Sequence, residues 1–283
     1  MPVTPDTPAA PTLDRRTKWG IFLGVAVLVA AIAVLAWLSR AGAIIPFAQN
    51  PARQMRVEVI ASYPHDPGAF TQGLLYHDGV LYESTGLEGE STLRRVDLKT
   101  GRVLQTVALP PPLFAEGLAL APQGLIQVTW QNDTGFVYDP ATLALRRQFK
   151  YAGDGWGLCY DGTSLAMTDG SDTLAFRAPD TFAVQRSVRV VMNGTPLRSI
   201  NELECANRSV YANVWHKDFI VRIDPATGVV LERIDAAGLL TESEAAGADV
   251  LNGIAYDPAD GLFYITGKRW PKLFKVRFVP AGT

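Results

Sequence analysis

Downstream of about residue 55 the chain is written in short apolar runs separated by turn residues, with no 3.6-residue period anywhere. Five stretches align with one another. They are Gln72-Gly73-Leu74-Leu75-Tyr76, Glu116-Gly117-Leu118-Ala119-Leu120 and Trp156-Gly157-Leu158-Cys159-Tyr160, then Asn201-Glu202-Leu203-Glu204-Cys205 and Asn252-Gly253-Ile254-Ala255-Tyr256. They recur roughly every 40 to 50 residues, a repeat length typical of blade-like units. A turn follows each one, such as His77-Asp78-Gly79 or Asp161-Gly162, and then a second apolar run, such as Val80-Leu81-Tyr82 or Leu262-Phe263-Tyr264-Ile265. Each pair reads as a β-hairpin. Third and fourth runs come next, for example Arg95-Val96-Asp97 and Val103 to Leu109.

Four strands per repeat predict an all-β fold, a five-bladed β-propeller over residues 55–283. The fifth repeat stops after its third strand, Lys272 to Val279. Arg56-Val57-Glu58-Val59-Ile60 is expected to supply the missing strand, so that the N- and C-terminal strands close the ring. Longer inserts precede repeat four (Asn193–Ile200) and repeat five (Leu239–Val250).

The N-terminal part follows another pattern. Residues 1–18 read as a disordered cytoplasmic tail ending in Arg15-Arg16-Thr17-Lys18. An uncharged apolar run from Trp19 to Leu38 follows. As a helix it spans about 30 Å, the thickness of a bilayer core, and Trp19 and Trp37 sit where indoles favour the interface. The expectation is one transmembrane or signal-anchor helix over 19–39, then a linker over 40–54. Basic residues ahead of the run place the propeller outside the cytoplasm, in a periplasm or equivalent space. A cleaved signal peptide, with Ala41-Gly42-Ala43 as the cleavage site, is the competing reading. It would release the same domain to the same side.

Composition narrows the function classes. With 26 Lys+Arg against 28 Asp+Glu the formal charge is −2, which speaks against nucleic acid as a partner. Two cysteines and three histidines speak against a disulfide-rich scaffold and a Cys/His zinc cluster. His65, His77 and His216 share no ligand spacing. Cys159 and Cys205 differ by one in motif register, so their side chains are expected to face opposite sides of their strands, against a disulfide.

The repeat also gathers candidate chemistry. The first residue of each motif and the residue roughly fourteen later, across a hairpin, belong to the same rim. The first positions are Gln72, Glu116, Trp156, Asn201 and Asn252; the return positions are Gly86, Trp130, Asp169, Trp215 and Lys268. Phe70 and Phe114 lie two residues upstream of Gln72 and Glu116. Aromatic walls with a few polar groups are the make-up of a small-molecule pocket. Each residue also has a plainer reading. Glu116 and Lys268 would pair as a ring closure, Trp130 and Trp215 would pack between blades, and the amides would serve backbone groups, Asn252 above all.

Three runs carry a resemblance: Phe70-Thr71-Gln72-Gly73, Phe114-Ala115-Glu116-Gly117, and Thr266-Gly267-Lys268-Arg269-Trp270-Pro271-Lys272-Leu273-Phe274. Over roughly 58–278 the chain resembles the plant- and bacterial-type glutaminyl-peptide cyclotransferases. The resemblance implies a five-bladed propeller that converts the N-terminal Gln of peptides to pyroglutamate, releasing ammonia, without the active-site zinc of the animal-type enzymes; no cofactor is expected. It implies Glu116 as the catalytic acid/base. The substrate-binding positions it implies are Phe70, Gln72, Phe114, Trp130, Trp156, Asn201, Trp215 and Lys268. The partners expected are peptides or proteins with N-terminal Gln and, through the N-terminal helix, the membrane; the protein is expected to be a monomer. Two other readings of a propeller are a metal-dependent lactone hydrolase and a non-catalytic envelope scaffold.

Overall fold

A computed structural model describes residues 50–282. The tail, the apolar run over 19–39 and most of the 40–54 linker lie outside the described residues. Among the described residues no helix is long and apolar enough to cross a membrane.

The fold is all-β. After β1 (Arg53–Pro64) come four strands in one antiparallel sheet: β2 (Thr71–His77), β3 (Val80–Thr85), β4 (Thr92–Asp97) and β5 (Val103–Ala108). The same order recurs in β6 (Phe114–Ala121), β7 (Gly124–Trp130), β8 (Thr134–Tyr138) and β9 (Leu145–Lys150). A third sheet holds β10 (Leu158–Tyr160), β11 (Leu165–Met167), β12 (Thr173–Arg177) and β13 (Val184–Arg189). The first insert forms a small hairpin, β14 (Val191–Met192) with β15 (Thr195–Pro196). Strands β16 (Ile200–Ala206), β17 (Ser209–Val214), β18 (Phe219–Ile223) and β19 (Val230–Asp235) form the fourth unit. The second insert carries one turn of helix, α1 (Glu242–Ala245), and leads to β20 (Leu251–Asp257), β21 (Leu262–Gly267) and β22 (Lys272–Pro280).

The early first strand completes the last unit. β1 pairs antiparallel with β22 from Met55 opposite Pro280 to Pro64 opposite Lys272. At its start it also runs parallel to β19, with Arg53 opposite Glu232, which joins the fourth and fifth units into one eight-stranded sheet. Ala52 is already buried, and its N–H donates to Asn193 Oδ1 at 2.8 Å. Strand β1 therefore starts inside the segment read as a linker, because its first residues are held from two sides.

Each space between neighbouring units is filled by its own apolar cluster. Leu118 and Leu125 pack with Tyr82 and Leu93; Leu158 and Leu165 pack with Ile126 and Val128. Leu203 packs with Leu174 and Phe176, Ile254 with Ile220, and Leu74 with Tyr264 and Leu273, which returns to the first unit. The glycine at the second motif position permits this closeness. A Cβ on Gly117 would lie 2.5 Å from Leu158 N, and one on Gly157 would lie 2.0 Å from Asn201 O. Repeat four has Glu202 at this position, and its carboxylate accepts the Leu74 and Ile254 N–H groups at 3.2 and 2.9 Å. Burial pushes its pKa up to about 8.

Cys159 and Cys205 form a disulfide, which corrects the expectation of unbonded thiols. The side chains do take opposite registers. They belong to sheets stacked face to face, however, so opposite-facing side chains meet in the space between. The bond closes a 46-residue separation, which in a chain-entropy account is worth about 4 kcal/mol. Reduced protein, or Cys205→Ser, is expected to melt at a lower temperature than the oxidised wild type. An unchanged midpoint in a thermal scan would show that the cross-link adds no stability.

Candidate active site

The motif residues reach one hollow because the ladder breaks beneath them. The pairing of β2 with β3 shifts register between Thr71 and Gly73, leaving Gln72 as an extra residue. The β6 ladder shifts between Ala115 and Leu118, β16 between Ile200 and Leu203, and β20 between Leu251 and Ile254. Glu116, Asn201 and Asn252 sit in those breaks. A bulge bends its strand and re-aims a side chain, here four times at the same end of the innermost strands.

The hollow has a volume of about 220 Å³ and is lined by every predicted site residue: Glu116, Phe70, Gln72, Phe114, Trp130, Trp156, Asn201, Trp215 and Lys268. Phe114 stands edge-on to both Phe70 and Trp130, at centroid distances of 6.2 and 5.7 Å. Trp156 meets Trp215 edge-on at 5.7 Å. Trp130 is only half-buried and Trp215 is 41% exposed, so neither is packed away between sheets.

Glu116 is 5% exposed. Its Oε1 accepts a hydrogen bond from Gln72 Nε2 at 2.9 Å, while its Oε2 is buried with no partner. Among the described residues it forms no ion pair, so it is not a ring-closing salt bridge to Lys268. Burial pushes its pKa well above the usual carboxylate range, the Lys268 charge pulls it down, and Asp154 adds to the rise. Lys268 is also buried, which lowers its pKa against the pull of Glu116 and Asp249. Its Nζ lies 4.6 Å from the Phe70 ring centroid. The Trp156 indole N–H and Asn201 Oδ1 are likewise buried without partners. Unpaired buried polar atoms are costly, and three of them around one hollow mark a place shaped for a polar guest.

Asn252 belongs to the frame, as its plainer reading held: its Nδ2 donates to Thr71 O at 2.8 Å and to Gln72 Oε1 at 3.3 Å. Asp169 is not in the hollow, contrary to its assignment as a return position. It is exposed and accepts the Ser171 N–H at 3.0 Å. The next residue, Gly170, faces the site instead, because a Cβ there would strike the Trp156 ring at 2.7 Å. Two lining residues, His216 and Asp249, escaped the sequence reading. His216 follows Trp215 and lies tilted against its ring at 4.2 Å, and Asp249 stands near the end of the second insert. Their one sequence signal was adjacency, to a return position and to repeat five.

A buried pair braces two arms of the site. His65 Nδ1–H donates to Trp270 O at 2.6 Å, and Nε2 lies 2.9 Å from Glu83 Oε1. Glu83 also accepts from Thr71 Oγ1 at 2.7 Å. The strand of Gln72 and the turn of Lys268 are thus tied to one imidazole–carboxylate pair. Burial works against both charges. The pairing nevertheless leaves the His65 pKa raised and the Glu83 pKa lowered.

Comparison with known proteins agrees with this geometry. The glutamine cyclotransferase family model matches residues 27–278. The glutaminyl-peptide cyclotransferase of Arabidopsis thaliana is 45% identical over 231 residues, covering 80% of this chain and 72% of that protein. The crystal structure of Myxococcus xanthus glutaminyl cyclase superposes with a TM-score of 0.74 at 42% identity, covering 82% of this chain and 100% of the other. The chain that sets a buried, half-satisfied Glu116 among these indoles belongs to the glutamine cyclotransferase family.

Proposed function

We propose that this protein is a glutaminyl-peptide cyclotransferase that closes the N-terminal Gln of peptides to pyroglutamate and releases ammonia. The observation that carries the reading is Glu116: a buried carboxylate with one oxygen held by Gln72 and the other unpartnered, in a hollow walled by Phe and Trp.

The substrate's α-amine attacks its own γ-carboxamide carbon. Both groups belong to one residue, so the walls have chiefly to fold the side chain into the attacking conformer. A free α-amine titrates at about pH 8, so at neutral pH much of it is protonated and gives that extra proton to solvent before it can attack. The free Glu116 oxygen takes a proton from the attacking nitrogen as the new C–N bond forms. It returns one to the carboxamide nitrogen as the old C–N bond breaks, so ammonia leaves and the carboxylate is regenerated. The tetrahedral oxyanion between the two steps needs donors. The unpartnered Trp156 N–H is one, and Lys268 and Asn201 line the same hollow.

The wider reading is a five-bladed β-propeller acting as a monomer outside the cytoplasm, anchored by the apolar run over 19–39 or released from it. The cyclic order of apolar clusters supports the propeller. The Cys159–Cys205 disulfide supports an oxidising compartment.

Ammonia release from a Gln-initiated dipeptide tests the activity, and no release on any such peptide would overturn it. The acid/base route uses side chains alone, so turnover is expected to survive EDTA. Loss on EDTA with recovery on added zinc would refute that route.

A further inference from the structure

A groove of about 270 Å³ lies beside the hollow and shares Asp249 with it. Its apolar surface comes from Leu239, Leu240, Ala245 and Ala248 over the buried Trp270, and Asp218 and Asp249 flank it. The walls are fixed: Trp270 Nε1–H donates to Asp249 O at 2.8 Å, and Ala236 N–H donates to Asp218 O at 2.9 Å. Both aspartates are exposed. Among the described residues neither forms an ion pair, even though Lys217 adjoins Asp218 in the same turn.

We infer that this groove receives the residue that follows the N-terminal Gln and selects a basic side chain there. The inference rests on the cyclotransferase reading. With the Gln side chain and α-amine at Glu116, the peptide must leave by the mouth, where Asp249 stands. One extended residue advances the chain by no more than about 3.5 Å, so the second residue is still at that mouth. Lys and Arg join an apolar stem to a charged head. The stem matches Leu239 and Leu240, and the head matches the exposed carboxylates of Asp218 and Asp249, neither of which is in an ion pair among the described residues. A second-position Glu meets repulsion instead.

The test compares kcat/KM for the amidated peptides Gln-Lys-Ala, Gln-Ala-Ala and Gln-Glu-Ala. The expected order is Lys above Ala above Glu. The Lys-to-Ala ratio should be roughly fivefold, the scale of exposed ion pairs. It should shrink in about 0.5 M salt, which screens such pairs. Asp218→Asn is expected to cut the ratio by about half while leaving Gln-Ala-Ala turnover unchanged. Equal turnover of all three peptides, or an unaltered ratio in Asp218→Asn, overturns the groove assignment alone. No turnover of any peptide overturns the cyclotransferase reading and the groove with it.

Discussion

Glu116→Gln is expected to fold normally and to turn over N-terminal Gln roughly 10² to 10⁴ times more slowly, the usual cost of losing a positioned acid/base. The amide keeps the volume and one hydrogen bond to Gln72 but has no basic oxygen for the attacking amine. The variant should melt at or above the wild-type temperature near neutral pH. The folded-state pKa of Glu116 is raised because burial outweighs the Lys268 charge. The unfolded chain therefore ionises this carboxyl first. As pH rises above the ordinary value of 4.5, ionisation favours the unfolded state, and a neutral amide removes that term. Wild-type kcat/KM should accordingly fall as pH drops through a value well above 4.5. Turnover near wild type in a folded Glu116→Gln, or an acid limb at the ordinary carboxylate pKa, would remove Glu116 from the mechanism. Loss of turnover together with a lower melting point would mark a structural role.

Trp156→Phe is expected to lower kcat by roughly 10² to 10³, the cost of one well-placed oxyanion donor, with a much smaller change in KM. The indole N–H is buried at the hollow with no partner, so it has no other employment in the free protein. Phenylalanine retains an aromatic wall against Trp215 and removes the donor. A rise in KM with kcat intact would instead assign Trp156 to uniform substrate binding.

The repeats were legible because each rests on local chemistry: short apolar runs, tight turns and, in four of the five, a glycine at the second motif position. The site residues were legible because the repeat phase carries them to one end of those strands. The Cys159–Cys205 bond was misread because register was taken within one sheet, whereas the two cysteines face each other across stacked sheets. Asp169 was misplaced by one residue, since Gly170 is the position that makes room for Trp156. Asp249 and His216 were missed because an insert and a turn have no periodic phase from which to read their direction.

The sequence by itself determined the five units, the closing strand at the N-terminus, and the set of aromatic, amide and charged residues at one rim. Those depend on periodicity and turn chemistry, which act over a few neighbouring residues. Tertiary structure alone decided that Glu116 keeps one oxygen without a partner, that Lys268 stands near it without pairing, and that the second insert sets Asp249 at the mouth. Burial and hydrogen-bond satisfaction depend on groups far apart along the chain, and only the packed fold brings them within reach.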